Sequence, residues 1–168
     1  MNVSPDASAR AATAATIAAT LLIVGCGFHL QGRTPLPTPL AVTFVQADDK
    51  QSEFVQGLRR ALITSGAKLA SRSDTASGIV RILTDQVTQR VLSVSASNTP
   101  REYELTYTVR FSVSAADKEL LPAQEVSVMR DYSFDERKLL AKENEEAILR
   151  DAMARDLVGI VMRRLASL

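Results

Sequence analysis

Few residues of this sequence could do acid–base, nucleophilic or metal chemistry. Its one cysteine, Cys26, and its one histidine, His29, lie close together near the N-terminus. Glu143, Glu145 and Glu146 form an acidic cluster, but carboxylates are also favoured at the solvated start of a helix. No Ser–His–Asp triad, metal-ligand spacing or glycine-rich phosphate loop is recognisable. We therefore expect no catalytic site and no cofactor, with a lysine- or carboxylate-based enzyme as an open alternative.

The segment that precedes Cys26 is predicted to be a lipoprotein signal peptide, residues 1–25. Arg10 is followed by small and apolar residues, in a run too short and too rich in alanine for a good transmembrane helix. The run ends in the sequence LIVGC at residues 22–26, which resembles a lipobox. The resemblance implies that Cys26 is acylated and becomes the mature N-terminus, anchored by several acyl chains. The alternative is an ordinary buried cysteine at the end of the signal helix.

The residues after the cysteine predict the final location of the protein. Position 27 is a glycine, whereas an aspartate there tends to hold lipoproteins of enteric bacteria in the inner membrane. We therefore expect the periplasmic side of the outer membrane. Residues 26–40 are predicted to be the lipidated N-terminus and a tether, because Pro35, Pro37 and Pro39 favour an extended chain. Ten residues of such a chain would span about 30 Å.

Length and composition predict one domain, residues 41–168. The chain has 168 residues and a formal net charge of +1. That length suits one domain with a real core, and the charge lacks the basic excess of a nucleic-acid-binding protein. With a single cysteine, the exported domain has no internal disulfide, so packing of the core must stabilise its fold.

The first half of the domain predicts a strand, a helix and a second strand. Residues 41–46 are rich in β-formers. Asp48, Asp49 and Ser52 could each start a helix. Apolar residues then recur at helical spacing over residues 52–65, and Gly66 is a plausible stop. Residues 68–77 are polar and are predicted to be irregular. Residues 79–95 alternate as a strand, and the pattern slips near Asp85, which suggests a bulge.

The second half predicts two more strands and a final helix. From Tyr103 to Val113 every odd-numbered residue is apolar and every even-numbered one polar, as in a half-buried antiparallel strand. A turn at residues 115–118 leads to a fourth strand, on which Arg130 interrupts the apolar face of Val126, Val128, Tyr132 and Phe134. The apolar stripe of the last helix runs from Ala147 to Leu168.

These elements predict an α+β fold with the order β-α-β-β-β-α. Two helices packed on one face of a four-stranded mixed sheet bury the apolar stripes most simply. The first helix is expected to link parallel strands.

Three stretches of the chain resemble the LptE family of lipopolysaccharide-assembly lipoproteins. They are residues 26–32 (CGFHLQG), 101–109 (REYELTYTV) and 139–146 (LLAKENEE). The element order agrees, and the resemblance covers essentially all of the mature chain, most loosely in residues 66–100. It implies an outer-membrane lipoprotein that plugs and helps to assemble the LptD β-barrel and binds lipopolysaccharide. The alternative is a generic periplasmic lipoprotein adaptor or chaperone.

A ligand site is predicted at one end of the sheet. If the last two strands form an antiparallel hairpin, the turn at residues 95–100 and the junction before the last helix lie together, opposite to the tether. Five basic residues gather there: Lys142, Arg101, Lys138, Arg137 and Arg90. Lysine and arginine attract the phosphates of lipid A, and we rank Lys142 first and Arg101 second. The alternative is that these are surface charges flanking a turn and a helix start.

Overall fold

A computed structural model describes residues 35–116, 118–133 and 139–168, with the backbone alone for residues 139–144. The predicted signal peptide, Cys26, His29 and Phe134 lie outside the described residues. Arg137 and Lys138 also lie outside them.

The first strand and helix follow the predicted pattern. Strand β1 is Val42–Gln46, and helix α1 is Glu53–Thr64. The helix begins at its capping residue Ser52, whose side chain accepts a hydrogen bond from the Val55 amide at 3.1 Å. Its apolar stripe of Phe54, Val55, Leu58 and Leu62 is buried. Gly66 follows with a φ of 94°, a conformation that favours glycine after a helix.

The sheet has five strands, so the prediction of four is wrong. The additional strand, β2, is Lys68–Leu69 and pairs parallel to β1 within the stretch predicted to be irregular. It is held by the backbone, since the Lys68 amide donates to the Ala41 carbonyl and the Ala70 amide to the Thr43 carbonyl, both at 2.9 Å. A strand of two residues is too short to show alternation, so no sequence pattern indicates it.

Three long strands form the rest of the sheet: β3 (Gly78–Val94), β4 (Pro100–Ala115) and β5 (Lys118–Ser133). The strand order is β2-β1-β3-β4-β5. β1 and β3 are parallel, as expected, and β3, β4 and β5 form an antiparallel meander. The register of β3 against β4 shifts between Ile82 and Thr84. This irregularity confirms the bulge that the slipped pattern near Asp85 predicted.

The core lies between one face of the sheet and the two helices. The predicted inward residues of β4 are buried from Leu105 to Val113, and Phe111 is fully enclosed. Helix α2, Leu139–Ala166, closes the core with Met153, Leu157 and Val161. Arg130 interrupts the apolar face of β5, as predicted, and forms an ion pair with Asp156 of α2 at 2.7 Å.

The end of the predicted tether belongs to the domain. Residues Thr38–Leu40 form a 3₁₀ turn, and Leu40 is completely buried. The Ser77 hydroxyl donates to the Pro39 carbonyl at 2.9 Å. Gly78 has no room for a side chain, because an added Cβ would lie 2.6 Å from that same carbonyl. The prediction of an extended chain as far as Leu40 is therefore wrong for these last residues.

Candidate functional site

The topology brings the predicted ligand-site elements to one end of the sheet. Val94 and Pro100 pair at the turn between β3 and β4, and Glu102 pairs with Ser133 at the end of β5. Helix α2 begins six positions after Ser133, at Leu139. The turn and the end of β5 therefore lie side by side, and we call this region the distal end. The junction before α2, which the sequence also places at this end, lies outside the described residues.

Arg90 is engaged by an acidic neighbour at the distal end. Its guanidinium contacts both carboxylate oxygens of Glu104, at 2.7 and 3.1 Å, in a two-point geometry. The hydrogen bond and the charge of Glu104 raise the pKa of Arg90. Asp131 of β5 lies directly opposite Glu104 in the register. Arg90 therefore contributes little uncompensated charge for a ligand.

Arg101 lies at the start of β4 and is exposed. It makes no ion pair with any residue in the described ranges. Lys142 lies in the first turns of α2, where only the backbone is described. Of the five predicted basic residues, the structure thus brings Arg90 and Arg101 onto neighbouring strands.

The strands at the distal end also carry acidic residues. Glu102, Glu104 and Asp131 lie on the sheet face opposite to the helices, alongside Arg90. The polar alternation of β4 signalled Glu102 and Glu104, but only the register places Asp131 and Arg90 beside them. The charge of these strands is mixed rather than purely basic.

A polar and aromatic cluster fastens α2 to the helix-facing side of the distal end. Tyr103 and Tyr132 stack with their ring centroids 5.4 Å apart. Gln89 donates to the Tyr132 hydroxyl at 2.5 Å, and that hydroxyl contacts the Glu146 carboxylate at 3.5 Å. Burial, followed by the charge of Glu146, raises the pKa of Tyr132 to about 12. Arg150 completes the cluster by pairing with Glu146 at 2.5 Å.

The tip of the β3–β4 hairpin presents aliphatic side chains to solvent. Val91, Leu92 and Val94 are 48%, 42% and 53% exposed. Leu92 also lines a shallow cavity of about 310 Å³, together with Glu102, Asp131, Tyr132 and Ser133. The alternation of residues 79–95 predicts a strand here but does not indicate an exposed apolar surface.

A second polar network marks the point where α1 meets β3. Asp85 accepts hydrogen bonds from the Ser52 hydroxyl at 2.5 Å and from the Tyr107 hydroxyl at 2.8 Å. Burial and the hydrogen bond to Asp85 raise the pKa of Tyr107. Because Ser52 also caps α1, Asp85 joins the helix start to two strands. This arrangement positions structural elements and forms no nucleophile–base pair.

Among the residues that the structure describes, no three His, Cys, Asp or Glu side chains are grouped as metal ligands. Within the same ranges, no helix is both long and apolar enough to span a membrane.

Comparisons with known proteins agree with the fold and with the resemblance. Residues 40–165 match the LptE lipopolysaccharide-assembly family. The LPS-assembly lipoprotein LptE of Pectobacterium atrosepticum is 28% identical over 153 residues, which cover 89% of this chain and 82% of the relative. The protein of the same name from Yersinia pestis is 27% identical over 150 residues, covering 88% of this chain and 71% of the relative.

Solved structures of lipoproteins share the architecture. A lipoprotein B from Nitrosomonas europaea matches with a TM-score of 0.70 and 28% identity, covering 84% of this chain and 91% of that one. The rare lipoprotein B of Shewanella oneidensis matches with a TM-score of 0.66 and 26% identity, covering 75% of this chain and 94% of that one. A minor lipoprotein from Acinetobacter baumannii, with a TM-score of 0.65 and 18% identity over 79% of this chain and 94% of that one, shares the fold.

Proposed function

This chain belongs to the LptE family of non-enzymatic lipopolysaccharide-assembly lipoproteins of the outer membrane, and on that basis we propose that it plugs an LptD-type β-barrel and binds lipopolysaccharide. The observation that carries the proposal is the extent of the family match. It runs from Leu40, which is buried in the core, to Leu165 near the end of α2. The family's sequence pattern thus spans the folded domain from its first fully buried residue to its last helix.

The barrel partner is tested by purification of the full chain from outer membranes in mild detergent. We expect a large β-barrel protein to co-purify in an equimolar ratio, identified by mass spectrometry. Recovery of the chain without a barrel would favour the generic adaptor or chaperone over the plug.

The lipid anchor is a separate part of the proposal. Cys26 follows the lipobox-like sequence and is the only cysteine of the chain. We expect mass spectrometry of the membrane-extracted protein to find an acylated N-terminus at Cys26. The Cys26→Ala variant should accumulate as an unacylated precursor, because the thiol that accepts the lipid is missing. An unmodified wild-type chain that begins at residue 1 would contradict the anchor.

For lipopolysaccharide we propose that Lys142 and Arg101 attract the phosphates, and we rank Lys138, Arg137 and Arg90 after them. The ion pair of Arg90 with Glu104 supports ranking Arg90 last. The exposure of Arg101 supports its access to a large ligand. Lipid phosphates bind arginine and lysine through charge-assisted hydrogen bonds, so binding should weaken as salt rises.

The double variant Lys142→Asp, Arg101→Asp tests this site. It should keep its fold and its barrel partner but lose lipopolysaccharide binding. The matched control is Arg60→Asp, Lys68→Asp, which reverses two exposed charges on α1 and β2. Equal binding by the double variant and the wild type would place the phosphate contacts elsewhere on the domain.

A further inference from the structure

Part of strand β3 has no neighbouring strand on one side. β1 pairs with β3 only as far as Gln46, which lies opposite Arg81, and the chain then leaves the sheet for α1. Beyond Asp85, β3 pairs with β4 alone among the described residues. We call residues 86–91 the open edge. At roughly 3.3 Å per residue it is about 20 Å long, the length of an ordinary strand.

The hydrogen-bonding pattern shows which backbone groups of the open edge point outwards. The Ser77 amide donates to a carbonyl of β1. Because the direction alternates along a strand, Val80 bonds towards β4, opposite Val113. The same alternation along β4 makes Thr106 bond away from β3, so its partner Thr88 directs its amide and carbonyl out of the sheet. The residues two positions before and after Thr88 do the same, and no described segment bonds to these groups.

The other edges of the sheet carry features that discourage the addition of a strand, whereas the open edge does not. β2 has only two residues. β5 contains Pro122, and its Arg130 places a charge on the helix-facing side. Short strands, prolines and inward-pointing charges are common protections of an edge. The open edge (QVTQRV) contains no proline and no lysine, and its arginine is paired with Glu104.

The side chains along the open edge indicate what kind of segment would fit beside it. Val87 and Val91 lie on the helix-facing side of the sheet, where Val87 packs against the core and Val91 is 48% exposed. Gln86 and Thr88 lie on the opposite side and are exposed. A strand in this position would therefore meet aliphatic neighbours on one face and polar neighbours on the other.

We infer that an extended segment of the barrel partner adds to the sheet at the open edge, in the position that β1 leaves empty. The inference rests on the proposed barrel partner and names the part of the chain that holds it. Outward amides and carbonyls that recur every second residue are matched in series only by another extended backbone, which selects a polypeptide rather than a lipid. The strands of a closed barrel have no free edge, so the segment comes from a loop or a terminus of the barrel protein.

Hydrogen exchange tests this backbone pairing directly. The full chain is compared in complex with its barrel and alone, in the same detergent, by mass spectrometry with residue-level fragmentation. The amides of Gln86, Thr88 and Arg90 should exchange about tenfold more slowly in the complex, because each gains a backbone partner. The amides of Val87 and Gln89, which already bond to β4, should change much less.

The matched variants Thr88→Pro and Thr88→Ala separate the backbone from the side chain. Proline removes the outward amide without removing a bond to β4, and edge strands tolerate proline at such positions. Alanine removes the same side chain but keeps the amide. Thr88→Pro should release the barrel about tenfold faster than the wild type, because one backbone hydrogen bond is lost. Thr88→Ala should release it at the wild-type rate, and both variants should keep the wild-type melting temperature.

Failure of the inference and failure of the proposed function give different results. Recovery of the wild type without a barrel contradicts the proposed function and the inference with it. A barrel complex in which Gln86, Thr88 and Arg90 exchange as in the free chain leaves that function standing and overturns the strand addition. Equal release of the barrel by the proline and alanine variants also overturns it. Should Thr88→Pro fold poorly, the exchange of the wild type decides alone.

Two further outcomes would assign the open edge to another occupant. Protection of the same amides in the chain alone as its concentration rises would place a second copy of the chain there. Protection by added lipopolysaccharide in the absence of the barrel would make the edge part of the glycolipid site. Either result would overturn the inference.

Discussion

The two halves of strand β3 have different surroundings. Residues 78–85 include the stretch that pairs with β1, and Gly78, Val80 and Ile82 are buried. Residues 86–94 pair with β4 alone, so this half is an edge of the sheet, and none of its residues is buried. The bulge and Asp85 lie at the boundary between the two halves. One continuous strand thus belongs to the core at one end and to the surface at the other.

Within this one hairpin, the covered half of β3 therefore contributes to folding stability, and the edge half is free to contact a ligand. Substitutions in the covered half remove buried contacts and should destabilise the fold. In the edge half Val87 packs against the core and Gln89 bonds Tyr132. The side chains beyond Gln89 touch mainly solvent, so substitutions there can change binding with little effect on folding. An interaction surface of this kind is available to a ligand because the scaffold does not need its side chains for packing.

Truncating the core beside the covered half should have the largest effect. Phe111 pairs with Ile82 and is fully buried, so Phe111→Ala should lower the free energy of unfolding by about 3–5 kcal/mol. Val91→Ala in the edge half should change it by less than about 0.5 kcal/mol. Urea denaturation followed by circular dichroism measures both. Similar losses of unfolding free energy in the two variants would contradict the difference between the halves.

Removing the carboxylate at the boundary should have an intermediate effect. Asp85→Ala leaves the Tyr107 hydroxyl and the capping Ser52 without their shared acceptor. The loss should be about 1–3 kcal/mol, the cost of an unsatisfied, partly buried polar group. Thr88→Ala, three residues further along the same strand on an exposed side chain, is the control. A loss no greater than that of the control would show that Asp85 does not connect the helix start to the sheet.

Alkaline pH should weaken the attachment of α2 at the distal end. Because the folded-state pKa of Tyr132 is raised to about 12, from near 10 in an unfolded chain, folding keeps the hydroxyl protonated. Stability is therefore fully present below about pH 10 and is lost as the pH rises towards 12. Tyr132→Phe should show a shallower decline of the melting temperature between pH 10 and 12. Parallel declines for variant and wild type would contradict the role of this hydroxyl.

Neutralising Arg90 in the edge half should have the smallest effect on stability. Its ion pair with Glu104 is exposed on the arginine side, and such pairs are weak and screened by salt. We expect Arg90→Gln to leave the urea midpoint unchanged at physiological ionic strength. A clear fall of that midpoint would show that the edge half contributes to stability through its charges.

Local patterns predicted most of the elements correctly. The alternation from Tyr103 to Val113 identified the buried face of β4, and the helical spacing after Ser52 located α1 within one residue at either end. The phase slip near Asp85 identified the bulge. These features depend on the period of a strand or a helix, which the spacing of apolar residues along the chain reveals.

The candidate site was less accessible to sequence reasoning. Topology predicts one end of the sheet for the basic residues, but only the register places Glu104 and Asp131 beside Arg90. The pairing of Arg90 with Glu104 joins residues 14 positions apart, and the contact of Tyr132 with Gln89 joins residues 43 positions apart. Sequence spacing does not reveal which of several nearby charges meet, because the strand register decides it.

The sequence by itself determined the α+β class, the long strands and the first helix. These follow from the order and periodicity of apolar residues. Only the tertiary structure decided the short strand β2, the packing of Leu40 into the core and the edge position of residues 86–94. Each of these depends on hydrogen bonds and contacts between distant segments, whose partners are fixed when the sheet assembles.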